Sequence, residues 1–410
     1  MATRVLLRVA EDGAYAAPAL DGELSRAGLG ASDTGLATEI VYGTLRALPS
    51  IDARLDRHLS RPSKTDPWLR AALRGGAYQL LHLERVPPHA AVSETVRVVK
   101  EDRGPRLAGV ANAVLRKIAA ERPDHPTPPR RVHAPTWIER ALADGLGSER
   151  AEALLTSDGP PPLGLRVTRG DPGAALEALR AARPDATFEA SALVPGAILA
   201  RGAGDPRALP GYAEGTLAVQ ELGSQRVAQQ LGAEPGERIA DLCCGHGTKT
   251  LSLAADVGER GSIDAVDLYE EKLAALEVER ARLGIDPARV RTHAVDLTRG
   301  LGGLPEGGFD RVLLDAPCTG LGTVRRRPEL MLRLREDDPA RLGELQRALA
   351  ENAKRLVRPG GVLLVATCSG TRAEGAALAE AIGGELDAIG PWLGEPMDGY
   401  QTILWRRGPA

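Results

Sequence analysis

The chain predicts an α/β Rossmann-like domain in its second half, preceded by an all-α module and a small α+β segment. Three observations carry this. From residue 236 onward, short apolar runs alternate with helix-patterned segments, the order that builds a parallel sheet covered by helices. The first 122 residues instead place apolar residues at helical spacing. Between the two lie a Pro-rich stretch, ERPDHPTPPRRVHAP over 121–135, and a turn-rich mixed segment.

In the front module the helical stripes are LATEIVYGTLRAL (36–48), PWLRAALRGGAYQLLHL (67–83), AAVSETVRVVKE (90–101) and LAGVANAVLRKIAA (107–120), which would bury one another. This module spans 1–122. A small α+β domain is expected over 131–215, with a helix near 136–155 and a strand–helix–strand pattern to about residue 200. The last domain, 216–410, offers strands at 238–242, 261–266, 291–295, 309–314 and 361–366, and a final one at 399–405. A long helix over 337–357 ends at the stop signal Pro359-Gly360-Gly361.

Composition narrows the function classes. Of 410 residues, 43% are hydrophobic and 26% charged, and no apolar run reaches the length of a membrane helix. No export signal is visible at the start, and the four cysteines, Cys243, Cys244, Cys318 and Cys368, include no Cys-x-x-Cys pair. A disulfide framework and a metal site are therefore not expected, and a reducing cytoplasm is. Net charge is −3 but uneven: residues 1–130 hold 19 Lys+Arg against 15 Asp+Glu, leaving 33 against 40 for the rest. RNA contact through local basic patches fits that balance, as do ordinary solvated faces.

Two features carry chemistry. Asp241 closes the first strand of the last domain and is followed by LCCGHGTKT, in which Gly245 and Gly247 let the backbone approach a ligand before a helix begins. Asp267 and Asp296 end the next two strands, placed for a ribose and an adenine edge. A nicotinamide dinucleotide and S-adenosylmethionine both remain open; the second fits better because GHGTKT (245–250) lacks the third glycine of the dinucleotide turn. Cys318 and Cys368 end two apolar runs, 309–318 and 361–368, so two thiols could face one substrate from neighbouring loops.

DLCCGHGTKT (241–250), DAPCTGLGTVRRRPEL (315–330) and LVRPGGVLLVATCSG (356–370) together resemble the RNA 5-methylcytosine methyltransferases of the RsmB/NOP family, in their RsmB or Sun branch. The front is similar to the NusB-like RNA-binding module fused to these enzymes, through VPPHAAVSETV (86–96) and GVANAVLRK (109–117) among other segments. The resemblance implies a class I methyltransferase domain, S-adenosylmethionine as donor and a structured RNA as substrate. It carries over Cys243, Cys244, Gly245, His246, Gly247, Thr248 and Lys249 as the donor loop, Asp267 for the ribose, Asp296 for the adenine and Asp315 lining the site. Cys368 matches the family nucleophile, Cys318 the thiol that helps release product, and Lys249 and Asp315 complete the catalytic set. Arg325, Arg326 and Arg327 would meet RNA phosphates, and a monomer is expected.

The implied activity is methylation of carbon 5 of a cytosine, with 16S ribosomal RNA as the expected target. The same chemistry on transfer RNA, or a non-catalytic RNA-binding assembly factor, are the alternatives. The chain departs from the family where the donor loop usually reads Cys-Ala-Ala-Pro-Gly-Gly-Lys, and where GTRAEG (370–375) replaces an acid-rich run after the Thr-Cys-Ser motif.

Overall fold

Helical stripes with proline at their first turns dictate the architecture of the front. Among the described residues, seven α-helices fill this stretch, Ala2–Glu11, Ala16–Ala27, Ala31–Arg46, Leu48–His58, Pro67–His82, Pro88–Arg103 and Pro105–Ala120. Proline suits a first turn because its missing N–H would be unpaired there anyway. Asp66 caps the fifth helix by accepting from the Leu69 N–H at 2.8 Å. The core forms around Tyr78, Leu73, Leu115 and Ile118, all fully buried, and Gly43 is needed because a Cβ there would lie 2.0 Å from the Tyr78 ring.

The computed structural model describes residues 1–156 and 159–409. The chain divides into two units, one of Met1–Thr136, Leu155–Pro160 and Val324–Leu334, the other of Trp137–Leu154, Pro161–Thr323 and Arg335–Ala410. The segment Val324–Leu334, which the sequence reading assigns to the last domain, thus belongs with the helical front. Val324 and Leu330 anchor it by burial, and Glu329, 1% exposed, accepts from the Ala16 N–H at 3.1 Å. Arg325 is buried with it at 4% exposure, so only Arg326 and Arg327 of the expected phosphate-binding trio reach solvent.

The second unit holds two sheets. The smaller is antiparallel in the order β2-β3-β1-β4, with β1 Leu163–Val167, β2 Thr187–Ala190, β3 Ala197–Arg201 and β4 Leu217–Val219. Its last strand lies beyond residue 215, where the sequence reading ends the linker domain. The predicted helix near 136–155 is two, Thr136–Leu146 and Ser148–Leu155, separated at Gly147 with φ +83°.

The larger sheet runs β10-β11-β9-β8-β5-β6-β7. Its strands are β5 Arg238–Leu242, β6 Ser262–Asp267, β7 Val290–Ala294, β8 Phe309–Asp315, β9 Val357–Thr367, β10 Glu385–Ile389 and β11 Tyr400–Arg406. The five strands β7-β6-β5-β8-β9 are parallel, and β11 returns antiparallel between β9 and β10. Side chains alternate across a strand, so Ile239, Leu313 and Leu364 enter one core while Ala240, Leu314 and Leu363 enter the other. Both faces being covered explains why these strands read as near-continuous apolar runs. The helices Leu222–Leu231 and Thr248–Asp256 cover the first face, and Asp338–Leu356 covers the second through Leu349, Ala350 and Ala353. Among the described residues, no helix is long and apolar enough to cross a membrane.

Candidate active site

Parallel strands deliver their loops to one edge, and at the carboxyl ends of β5, β6, β8 and β9 the predicted residues converge. Asp315 ends β8 and accepts from the Lys249 ammonium at 2.7 Å. Lys249 is 8% exposed; burial alone would lower its pKa, but the charge and hydrogen bond of Asp315, with a further contribution from Cys368, hold it above the usual lysine value. The Lys249 ammonium also lies 5.4 Å from the centroid of the buried Tyr400 ring.

Cys318 and Cys368 meet with their sulfurs 3.2 Å apart. The hydrogen bond with Cys368, then burial and the neighbouring negative charges of Cys368 and Glu374, push the Cys318 thiol well above its ordinary value. Cys318 is thereby held protonated.

What fixes this spacing was not legible in the motifs. Glu374, fully buried, accepts from the Thr319 N–H at 2.8 Å and hydroxyl at 2.6 Å, from the Ser369 hydroxyl at 2.6 Å, from Thr371 at 3.0 Å and from the Gln346 amide at 3.1 Å. One carboxylate therefore ties the residue after Cys318 to the residue after Cys368. A glycine pair adds a second clamp. Gly322 N–H donates to the Cys368 carbonyl at 2.9 Å and Gly399 N–H to the Gly322 carbonyl at 2.8 Å, and a Cβ on Gly322 would lie 1.9 Å from the Gly399 oxygen. The signal for Glu374 was present as the one acid left in GTRAEG.

Beside the thiols opens a cleft of about 280 Å³ whose walls include Cys243, Asp267, Asp296 and Asp315, with Tyr269, Pro317 and Leu345 between them. Asp267 accepts from the N–H groups of Gly245 at 2.9 Å and Tyr269 at 3.0 Å, and Lys272 approaches it at 3.4 Å. A carboxylate offers about four lone-pair sites, so capacity for a ribose remains. Asp296 accepts from Thr298 N–H and hydroxyl at 3.0 and 2.6 Å, bonds that hold its pKa below the usual range.

The donor loop is shaped by its backbone. Cys243 takes φ +58°, the left-handed region, and Gly247 at φ +78° also has no room for a Cβ, which would meet Leu276 at 2.3 Å. Burial pushes the Cys243 thiol up to about 12 and the Cys244 thiol higher still, so both stay neutral. Cys244 packs in the core, and the side chains of His246 and Thr248 are exposed; none of the three lines the cleft. Beneath the loop Asp241 is fully buried, its carboxyl raised by burial to about 7 against the opposing hydrogen bond from Thr250 at 2.6 Å, and its Oδ1 has no partner among the described residues.

The 16S rRNA methyltransferase RsmB/F family model matches residues 228–385, and the NusB family model matches residues 1–120. A Mycobacterium tuberculosis relative whose name goes no further than methyltransferase is 39% identical over 411 residues, spanning 95% of this chain and 85% of the relative. The ribosomal RNA small subunit methyltransferase B of Pseudomonas syringae is 33% identical over 387 residues, spanning 90% of this chain and 84% of the relative. This chain belongs to the RsmB/F methyltransferase family. The crystal structure of PH0851 shares the fold over 98% of both chains, with a TM-score of 0.79 at 24% identity.

The RsmB/F protein is thus an RNA methyltransferase, and its methyl donor is S-adenosylmethionine. The cleft fits that donor. Three carboxylates, Asp267, Asp296 and Asp315, face it, a set that accepts from hydroxyl and ammonium groups, favours a sulfonium and repels the pyrophosphate of a dinucleotide. Among the described residues no cluster of His, Cys, Asp or Glu could hold a metal ion.

Proposed function

We propose that this RsmB/F protein methylates carbon 5 of a cytosine in 16S ribosomal RNA through a covalent adduct between carbon 6 and Cys368. The observation that carries the reading is the pair of sulfurs 3.2 Å apart, of which Cys318 is held protonated. The two sulfurs share a hydrogen bond, and the match of Cys368 to the family's Thr-Cys-Ser motif makes it the nucleophile of the pair. S-adenosylmethionine, when bound, supplies an electrophilic methyl carbon on a sulfonium; Asp267 and Asp296 would hold its ribose and adenine.

Carbon 5 of cytosine is a poor nucleophile in the intact ring. Addition of the Cys368 sulfur to carbon 6 forms a C–S bond and moves an electron pair into the ring, so carbon 5 would form a bond to the donor's methyl carbon while the methyl–sulfonium bond breaks with its pair left on the donor sulfur. The Lys249 ammonium, held in place by Asp315, would offset the negative charge that develops in the ring. Once the Cys368 sulfur is bound to carbon, the hydrogen bond that does most to raise the Cys318 thiol is lost. Cys318 then releases its proton to solvent and takes the proton from carbon 5, the electrons re-form the ring double bond, and the C–S bond breaks with its pair returning to Cys368. The target base must be unstacked to reach both thiols.

The test is incubation with methyl-labelled S-adenosylmethionine and unmodified small-subunit ribosomal RNA, followed by digestion to nucleosides. Label in 5-methylcytidine is the expected result. Label in another nucleoside, or in transfer RNA alone, contradicts the proposal.

A further inference from the structure

We propose that a second pocket, at the amino ends of the large sheet and away from the thiols, binds a phosphate group, supplied by the backbone of the RNA substrate. The pocket, about 270 Å³, is lined by three guanidinium groups, Arg166, Arg169 and Arg289, against the one carboxylate of Glu259. Glu259 lies just before β6 and Arg289 just before β7, so this is the edge opposite the one that carries Cys318 and Cys368.

The buried arginine decides the argument. Arg166 projects from β1 and is only 9% exposed, yet among the described residues no carboxylate lies within ion-pair distance of it. Its Nε donates to the Gln220 side chain at 2.9 Å, and no hydrogen bond from its two terminal nitrogens is found among the described residues. Burial lowers its pKa, with Asp256 and Glu279 opposing that only from a distance. Buried charges in native proteins are normally paired. Half-buried Arg289 is left short at the other end of its fork: a terminal nitrogen donates to the Ala254 carbonyl, while its buried Nε has no partner among the described residues. Arg169 is exposed at the pocket and donates to the Glu214 carbonyl at 2.9 Å, leaving other N–H groups of its fork. A compact oxyanion with several acceptor oxygens supplies what these groups lack, and guanidinium forks match phosphate geometry. The assignment to RNA rests on the RNA substrate of the proposed function; the phosphate chemistry does not.

Two measurements on the full chain test this, and neither needs methyl transfer. In the first, melting temperature is compared in inorganic phosphate and in chloride at equal ionic strength. Phosphate should raise the wild type by about 2 °C or more. Arg166→Met removes the charge together with the bond to Gln220, so the readout is the difference between the two salts: the phosphate increment should vanish whatever the melting temperature in chloride. In the second, binding of a labelled ribosomal RNA fragment is followed against salt. Arg169→Ala should weaken it by about tenfold at moderate salt and flatten the log–log salt slope by about 1. A phosphate increment with RNA binding unchanged in Arg169→Ala would overturn RNA as the source and leave a free phosphate as the ligand. No phosphate increment, with both variants binding RNA like the wild type, would overturn the site altogether. A failure of the cytosine reading shows instead in the nucleoside digest and leaves the phosphate increment intact.

Discussion

The two edges of the large sheet treat charge in opposite ways. At the amino edge, Asp264 of β6 is 1% exposed, yet it is met by Arg238, Arg291 and His293 at 2.8–3.2 Å. Burial would raise its pKa, and the hydrogen bonds from Arg291, His293 and Arg238 reverse that, so it stays below the usual carboxylate range. At the carboxyl edge Asp241 is as deeply buried, has one hydroxyl partner and an orphan oxygen, and is raised to about 7. Around it stand a cysteine in the left-handed region, two thiols in contact and a buried lysine. The same sheet compensates its buried Asp264 fully at one edge, while at the other an oxygen of its buried Asp241 is left without a partner among the described residues, beside the paired Lys249 and Asp315. Arg166 is the exception at the amino edge, which is why a ligand is inferred there.

The sharpest way to break this comparison is at the thiols. Cys368→Ala should reduce methyl transfer by roughly 10⁴-fold or more with the fold intact, as read by label incorporation and circular dichroism. Next comes Glu374, the positioning residue of the two thiol loops. Glu374→Ala leaves five donated bonds without an acceptor and should lower both stability, by about 3 kcal/mol, and turnover, by about 10²-fold. Glu374→Gln keeps the shape and removes the charge that raises Cys318, so thiol alkylation at pH 8 should be faster than in wild type while the chain remains folded. Unchanged alkylation would show that Glu374 acts on packing alone.

At the amino edge the expectation is the reverse. Asp264→Asn should cost about 2 kcal/mol in urea unfolding at pH 7, a figure reduced because its partners are partly exposed, with turnover unchanged. The Asp264 contribution is present above the unfolded carboxylate value, near 4, and is lost as pH falls through its lower folded value. Per pH unit, the smallest effect belongs to Asp241. Between about pH 4 and 7 its folded carboxyl holds a proton that the unfolded chain has released, so stability falls as pH rises across that window. The slope is on the order of 1 kcal/mol per pH unit, and Asp241→Asn should flatten it in urea titrations from pH 5 to 8.

How much could be read beforehand follows the same division. Cys318, Cys368 and Asp267 were visible because each ends an apolar, strand-like run, which is a local signal, whereas Lys249 and Asp315 were visible only through the family resemblance. Glu374 was not, because its role exists only once two distant loops meet. β10 escaped because it is an edge strand with the pattern ELDAI and three exposed residues, so it carries little apolar alternation. Val324–Leu334 escaped because nothing in RRRPEL says that Glu329 will be buried against the Ala16 N–H. Local chemistry writes itself into short motifs, while contacts between separate segments do not.

The claim at the centre is that two touching thiols divide the work of bond making and bond breaking. It is tested most directly by mixing Cys318→Ala with unmodified small-subunit RNA and S-adenosylmethionine and running the products on a denaturing gel. The two-thiol account predicts a protein–RNA band in Cys318→Ala, since the adduct forms on Cys368 and cannot be resolved, and no such band in wild type or in the double variant lacking Cys368. Turnover by Cys318→Ala at the wild-type rate without any trapped band would contradict it.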